Sequence, residues 1–212
     1  MPNVIHVIDT RKKPAPGPGP GPEPSTIAPY TLRFQFSVTG EEPQSEGNQS
    51  NVGTWTEVDA SQGIWDWTYE NEDWSYAFDE CFSLPSEGES TWRVIGAGDT
   101  SGVTTMDSLF NRTGLAGVVS FDTSNVTNID YMFANCNLDA IPAFDFSSVT
   151  ACSYTFAYNA DVASGITEAY AALSALDPEP THNYTFYGCG SESETGAAEL
   201  AEVPDDWKGV DP

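Results

Sequence analysis

Phe121-Asp122-Thr123-Ser124-Asn125-Val126-Thr127 returns 23 positions later as Phe144-Asp145-Phe146-Ser147-Ser148-Val149-Thr150. Asp99-Thr100-Ser101-Gly102-Val103-Thr104 is the same phrase one period earlier. A second phrase keeps the period as Asp107-Ser108-Leu109-Phe110, Asp130-Tyr131-Met132-Phe133 and Ser153-Tyr154-Thr155-Phe156. Ser75-Tyr76-Ala77-Phe78 and Asn183-Tyr184-Thr185-Phe186 belong to it, displaced by insertions. Apolar slots follow at Ile95, Val118 and Ile141, and at Leu115 and Leu138. Self-similarity at a fixed period is the signature of a repeat architecture, in which each unit buries its apolar slots only against its neighbours.

The expected fold class is therefore a β-rich α/β solenoid: a short leucine-rich-repeat stack with an N-terminal β unit and an extended N-terminal arm. Phe78, Phe110, Phe133, Phe156 and Phe186 are expected to form an interior aromatic ladder. Ser164 to Leu176 is Ala-rich and reads as a helix replacing the strand phrase of the last unit. Thr195 to Ala201 reads as a second short helix with Thr195 as N-cap. Pro204 and Trp207 close the end.

The run from Asp122 to Cys136, with Ile129 where Met is usual, resembles the repeats of bacterial surface leucine-rich-repeat proteins. The pattern Cys136-x-Leu138-x-x-Ile141-Pro142 and Tyr154-x-Phe156 carries the same likeness, over about residues 74–190. The ending from Cys189 through Thr195-Gly-Ala-Ala-Glu-Leu-Ala201 to Pro204 is similar to the cap of such proteins from gut bacteria and their phages. The resemblance implies a leucine-rich-repeat fold, a display or adhesion role and no catalytic residues. Cell-surface members usually carry export signals, and none is read here: Asp9 interrupts the apolar N-terminus and the basic residues follow it.

Of 212 residues, 32 are Asp or Glu and 7 are Lys or Arg, a net charge of −25. That balance argues against nucleic-acid binding, which needs clustered cations to neutralise phosphate. It argues equally against adsorption to anionic membranes, and no apolar run is long enough to span a bilayer.

Five regions are expected. Residues 1–13 are an anchoring arm, with Val4, Ile5, Val7 and Ile8 forming one strand and Arg11, Lys12 and Lys13 adding positive charge. Residues 14–24 alternate Pro with Gly and read as an extended spacer of roughly 34 Å. Residues 25–72 are a small β unit capping the solenoid, 73–190 the solenoid and 191–212 a C-terminal cap. A lone apolar strand needs a partner, so the arm is expected to dock on a capsid protein or another virion component.

Candidate chemistry is sparse. Cys136 and Cys189 share a repeat slot with Cys81, Thr113 and Asn159, a small hydrogen-bonding position. Cys152 shares a core slot with Met106 and Ile129. Free structural thiols are expected, and no C-x-x-C spacing suggests zinc. Asp99, Asp122 and Asp145 form an acidic ladder, read first as turn caps and second as a calcium site. Trp65, Trp67, Tyr69 and Trp74 lie in an aromatic and acidic run, read first as the cap of the open end and second as a glycan contact. The two His residues have no recognisable nucleophile partner, so no enzyme and no cofactor is expected. The expected role is a non-enzymatic virion display protein, a capsid decoration or head-fibre-like body on the virion surface, contacting a host-surface glycan or protein. A homo-oligomer fits this role. The alternatives are a bacterial cell-surface adhesin and a carbohydrate-binding module.

Overall fold

The computed structural model describes residues 27–36, 52–80 and 92–209. The arm at 1–13, with Val4, Ile5, Val7, Ile8, Arg11, Lys12 and Lys13, the spacer at 14–24 and Cys81 lie outside the described residues. Five strands form one mixed sheet: β1 (Thr31–Phe36), β2 (Thr54–Asp59), β3 (Ile64–Thr68), β4 (Trp92–Ala97) and β5 (Leu115–Val118), in the order β2-β3-β1-β4-β5. β1 alternates, with Leu32 and Phe34 fully buried, and pairs antiparallel with both β3 and β4. β2 pairs antiparallel with β3, and β4 pairs parallel with β5. The sheet thus crosses the expected boundary at residues 72 and 73.

The architecture corrects the expected leucine-rich-repeat solenoid. Among the described residues it is a single open five-stranded sheet with three short α-helices, because most repeat phrases do not form strands. In place of a continuous strand ladder, the phrases make isolated one-residue parallel bridges, in the series Asp73, Thr105, Asn128, Ala151 and Thr181. The residues two before and two after each ladder Phe hold left-handed backbone: Tyr76 and Glu80, Ser108 and Arg112, Tyr131 and Asn135, Tyr154 and Tyr158, Tyr184 and Gly188, with φ between 55° and 66°. A left-handed residue every fourth position cannot continue a strand. The phrases instead fold as consecutive turns, as in Ala77 N–H to the Trp74 carbonyl and Asp79 N–H to the Tyr76 carbonyl.

Alternate amides then point along the stack. Tyr131, Phe133 and Asn135 N–H donate to the carbonyls of Ser153, Thr155 and Ala157 at 2.8–3.0 Å. The same donation runs from Ser108, Phe110 and Arg112 to Asp130, Met132 and Ala134. The five Phe rings stack inside these turns, with centroids 5.4 Å (Phe78 to Phe110), 5.6 Å (Phe110 to Phe133), 5.9 Å (Phe133 to Phe156) and 5.6 Å (Phe156 to Phe186) apart. Phe78 also meets Phe34 and Trp67, which joins the stack to the sheet in one core.

The repeated Cys slot satisfies a carbonyl of the ladder. Thr113 Oγ1 donates to the Phe110 carbonyl at 2.8 Å, and the Cys136 thiol approaches the same carbonyl at 3.0 Å. Asn159 Nδ2 donates to the Phe133 and Phe156 carbonyls at 2.7 and 3.1 Å. Cys136, Cys152 and Cys189 are free and buried, and burial pushes the pKa of each thiol up to about 12. A thiol-reactive chromophore at pH 8 is therefore expected to leave these three untouched in the folded protein and to titrate them after denaturation without reductant. Reaction of any of them at the rate of a free thiol would overturn their placement.

Helix α1 (Ile166–Ser174) and helix α2 (Glu194–Glu202) pack at the far end, followed by the single turn α3 (Asp205–Lys208). Glu199 on α2 caps α1, its Oε2 accepting from Ile166 and Thr167 N–H at 2.8 and 3.3 Å. The N-cap of α2 is Ser193, whose Oγ accepts from Gly196 N–H, and not Thr195. The Thr195 hydroxyl donates to the Ala163 carbonyl instead.

Candidate binding surface

The left-handed positions place tyrosines where this backbone is least comfortable. Left-handed backbone suits Gly and Asn, and a bulky residue there is an outlier that the surrounding structure must hold. Tyr76, Tyr131, Tyr154, Tyr158 and Tyr184 all adopt it. The rings do not fill the core. Tyr76 is 41% exposed, Tyr131 40%, Tyr158 52% and the adjacent Tyr187 40%.

These rings form a row on the outside of the turns. Tyr131 and Tyr154 stack 4.8 Å apart at 4°, and Tyr154 and Tyr184 stack 5.0 Å apart at 13°. Tyr187 meets Tyr158 edge-on at 5.3 Å and Tyr184 at 5.7 Å. Partial burial, and then the neighbouring phenols, raise the Tyr154 hydroxyl above the ordinary tyrosine range. The row offers ring edges and hydroxyls at its exposed members, Tyr131, Tyr158 and Tyr187.

One rung lacks a ring. Ser108 stands where the other units carry Tyr, between Tyr76 and Tyr131. Tyr76 leans across this position, and its hydroxyl donates to Asp107 Oδ2 at 3.1 Å. Ser108 Oγ donates to Asp107 Oδ1 at 2.8 Å. Asp130, one unit on, accepts the Ser153 backbone N–H, and burial together with the Asp107 charge raises its carboxyl. On its other side Tyr76 borders a cleft of about 290 Å³ lined by Val52, Tyr69, Asn71, Asp73 and Ser75.

The aromatic and acidic residues that the sequence nominates lie away from this row or serve the fold. Trp67 and Trp74 are 1% and 0% exposed and meet edge-on at 5.1 Å, so neither offers a face to a sugar. Their indole N–H groups donate inward, to the Val52 and Tyr69 carbonyls. Trp65 is buried, and Tyr69 is half-buried at the edge of the cleft beside Tyr76. Asp99, Asp122 and Asp145 each close their own turn, accepting the backbone N–H of Ser101, Ser124 and Ser147 at 2.9–3.0 Å. Hydrogen bonds from Ser101 and Ser147 hold the Asp99 and Asp145 carboxyls below the usual range. Among the described residues no group of three His, Cys, Asp or Glu side chains is arranged to hold a metal ion.

The tyrosine row escapes a reading of the sequence, although a signal for it is there. Tyr recurs two residues before the ladder Phe in four of five units. Read as part of a strand, it falls on the same face as the ladder Phe two residues on, and so reads as interior.

Residues 72–172 match the family described as "Mycoplasma protein of unknown function, DUF285". The match fits a bacterial surface repeat family in the broad sense, and carries no leucine-rich-repeat wording and no link to phages. No curated protein and no solved structure matches the chain.

Proposed function

We propose that this chain is a non-enzymatic display protein whose body adheres to a surface ligand through the tyrosine row. The observation that carries this reading is the row itself. Tyrosines held in left-handed backbone cost stability where Gly or Asn would not, and three of them, Tyr76, Tyr131 and Tyr158, are exposed. Aromatic anchors presented at low entropy cost are what a binding surface needs.

The order of anchor, spacer and body supports display on a virion, with residues 1–13 holding the partner capsid protein. β1 is paired on both sides, so this strand offers the arm no free edge. The family match favours the second carrier, a bacterial cell surface.

A Tyr131→Gly substitution tests the reading. It removes one stacked pair, worth about 0.5–1.5 kcal/mol, and relieves left-handed strain of about 1–2 kcal/mol. Stability measured by denaturant unfolding is therefore expected to stay within about 1 kcal/mol of wild type. Binding to intact cells and to a glycan array, measured with labelled protein, is expected to fall at least tenfold. Unchanged binding by Tyr131→Gly combined with Tyr158→Gly would overturn the adhesive role of the row.

A further inference from the structure

We propose that the stacked tyrosines of the row are an oxidative modification site, at which Tyr131 and Tyr154 join as dityrosine and staple two neighbouring turns. This goes beyond the adhesive reading and does not depend on what the row binds. Two observations lead to it.

The first is geometric. Tyr131 and Tyr154 leave the same left-handed backbone, with φ of 55° and 58°, and their rings lie 4.8 Å apart at 4°. The next pair, Tyr154 and Tyr184, is 5.0 Å apart at 13°, and Tyr158 meets Tyr187 edge-on at 74°. Tyr131 N–H donates to the Ser153 carbonyl and Tyr154 N–H to the Asn183 carbonyl, each at 2.9 Å, so the backbone beneath the rings holds them in register. Two reactive groups held side by side meet in an intramolecular step and no longer depend on diffusion.

The second is where the oxidisable side chains lie. Met106, Met132, Trp67, Trp74, Trp92 and Trp207 are buried. Cys136, Cys152 and Cys189 are buried too, with thiol pKa values pushed up to about 12, so little of the reactive thiolate forms. Tyr131 is exposed. A one-electron oxidant in solution therefore reaches Tyr131 ahead of these sulfur and indole groups, and the radical formed there has a parallel phenol beside it.

The oxidant is hydrogen peroxide activated by a haem peroxidase. Each phenol gives one electron to the oxidant and its hydroxyl proton to water. The two phenoxyl radicals form one carbon–carbon bond between positions ortho to their oxygens. The hydrogen on each joined carbon then leaves as a proton while the oxygen regains one, which restores both rings. The protein loses two hydrogens in all, and one hydrogen peroxide becomes two waters. The link closes the chain between Tyr131 and Tyr154 into a covalent loop, and such a loop stabilises by restricting the unfolded chain.

The test is treatment of the dilute full chain with a haem peroxidase and hydrogen peroxide. Dityrosine is read by its blue fluorescence, and linked peptides are mapped by mass after cleavage at acidic residues, since Asp139 and Asp145 separate the two tyrosines. The main product is expected to be a monomer linked from Tyr131 to Tyr154. Its dityrosine yield is expected to be at least tenfold that of the urea-denatured chain at the same oxidant dose. Tyr154→Phe keeps a ring in the stack but removes the phenol, and is expected to lower the yield at least fivefold. Tyr131→Phe, at an exposed ring, is expected to lower it at least threefold. The linked protein, separated from the unlinked, is expected to unfold at higher urea. Equal yields from folded and denatured chain, a main product linked between chains or at another pair, or an undiminished yield in both variants overturns the site. Unfolding of the linked protein at lower urea overturns the staple. None of these outcomes touches the adhesive reading, which falls through the cell-binding result for the tyrosine-to-glycine variants.

Discussion

Phe133→Ala is expected to destabilise the protein by about 3–5 kcal/mol, the cost of deleting a large buried ring whose surroundings cannot collapse. Phe133 is fully buried and central in the ladder. It stacks on Phe110 at 5.6 Å, on Phe156 at 5.9 Å and on Phe144 at 5.7 Å. Its backbone N–H is bonded to Thr155, and its carbonyl accepts from Asn159, so the turns on either side cannot close over the void. Urea unfolding followed by tryptophan fluorescence measures the loss. A cost below about 1 kcal/mol, well under the range for deleting a buried Phe, would show that the ring is not the packing element described.

Trp207→Ala is expected to cost a similar amount, about 3–5 kcal/mol, at the other end of the stack. Trp207 is 2% exposed and lies flat on His182, with centroids 4.0 Å apart and planes at 1°. It meets Tyr170 edge-on at 5.5 Å and Phe186 at 6.2 Å, and its carbonyl receives the Phe186 N–H. Every other turn of the stack donates to a following unit, and this residue is what the last one meets. Hydrogen exchange should therefore show lost protection at Phe186 in the variant ahead of any loss at Phe110. Equal protection at both would mean that Trp207 is a side-chain ornament and not the closing element.

Much of this packing is legible in the amino-acid sequence. The 23-residue period, the ladder Phe and the Cys slot all follow from side-chain identity at fixed spacing, and packing rewards that regularity directly. The slot shared by Cys136, Thr113 and Asn159 has to be small and hydrogen-bonding, and its partners are the Phe carbonyls beside it. The turn-capping role of Asp99, Asp122 and Asp145 is also local chemistry, an Asx geometry spanning two residues.

The repeat phrase itself reads as a strand and folds as turns. Gly188 and Asn135 occupy the slot two residues past the ladder Phe, and both favour left-handed backbone. Tyr, Thr and Val around them favour strands and outweigh that hint. Left-handed tyrosine has no sequence signature, because no local preference produces it.

The sequence by itself determined that the ladder Phe residues are inside, how often they recur and where the chain is capped, since burial of an apolar side chain depends on its own chemistry. Only the tertiary structure decided that the units are turns, that one sheet runs from the N-terminal strands into the repeat, and that Trp67 and Trp74 face inward while Tyr131 and Tyr158 face out. Those outcomes depend on where backbone N–H groups find acceptors. In this protein the acceptors that join one turn to the next lie 21 to 33 residues away, beyond the reach of any local propensity.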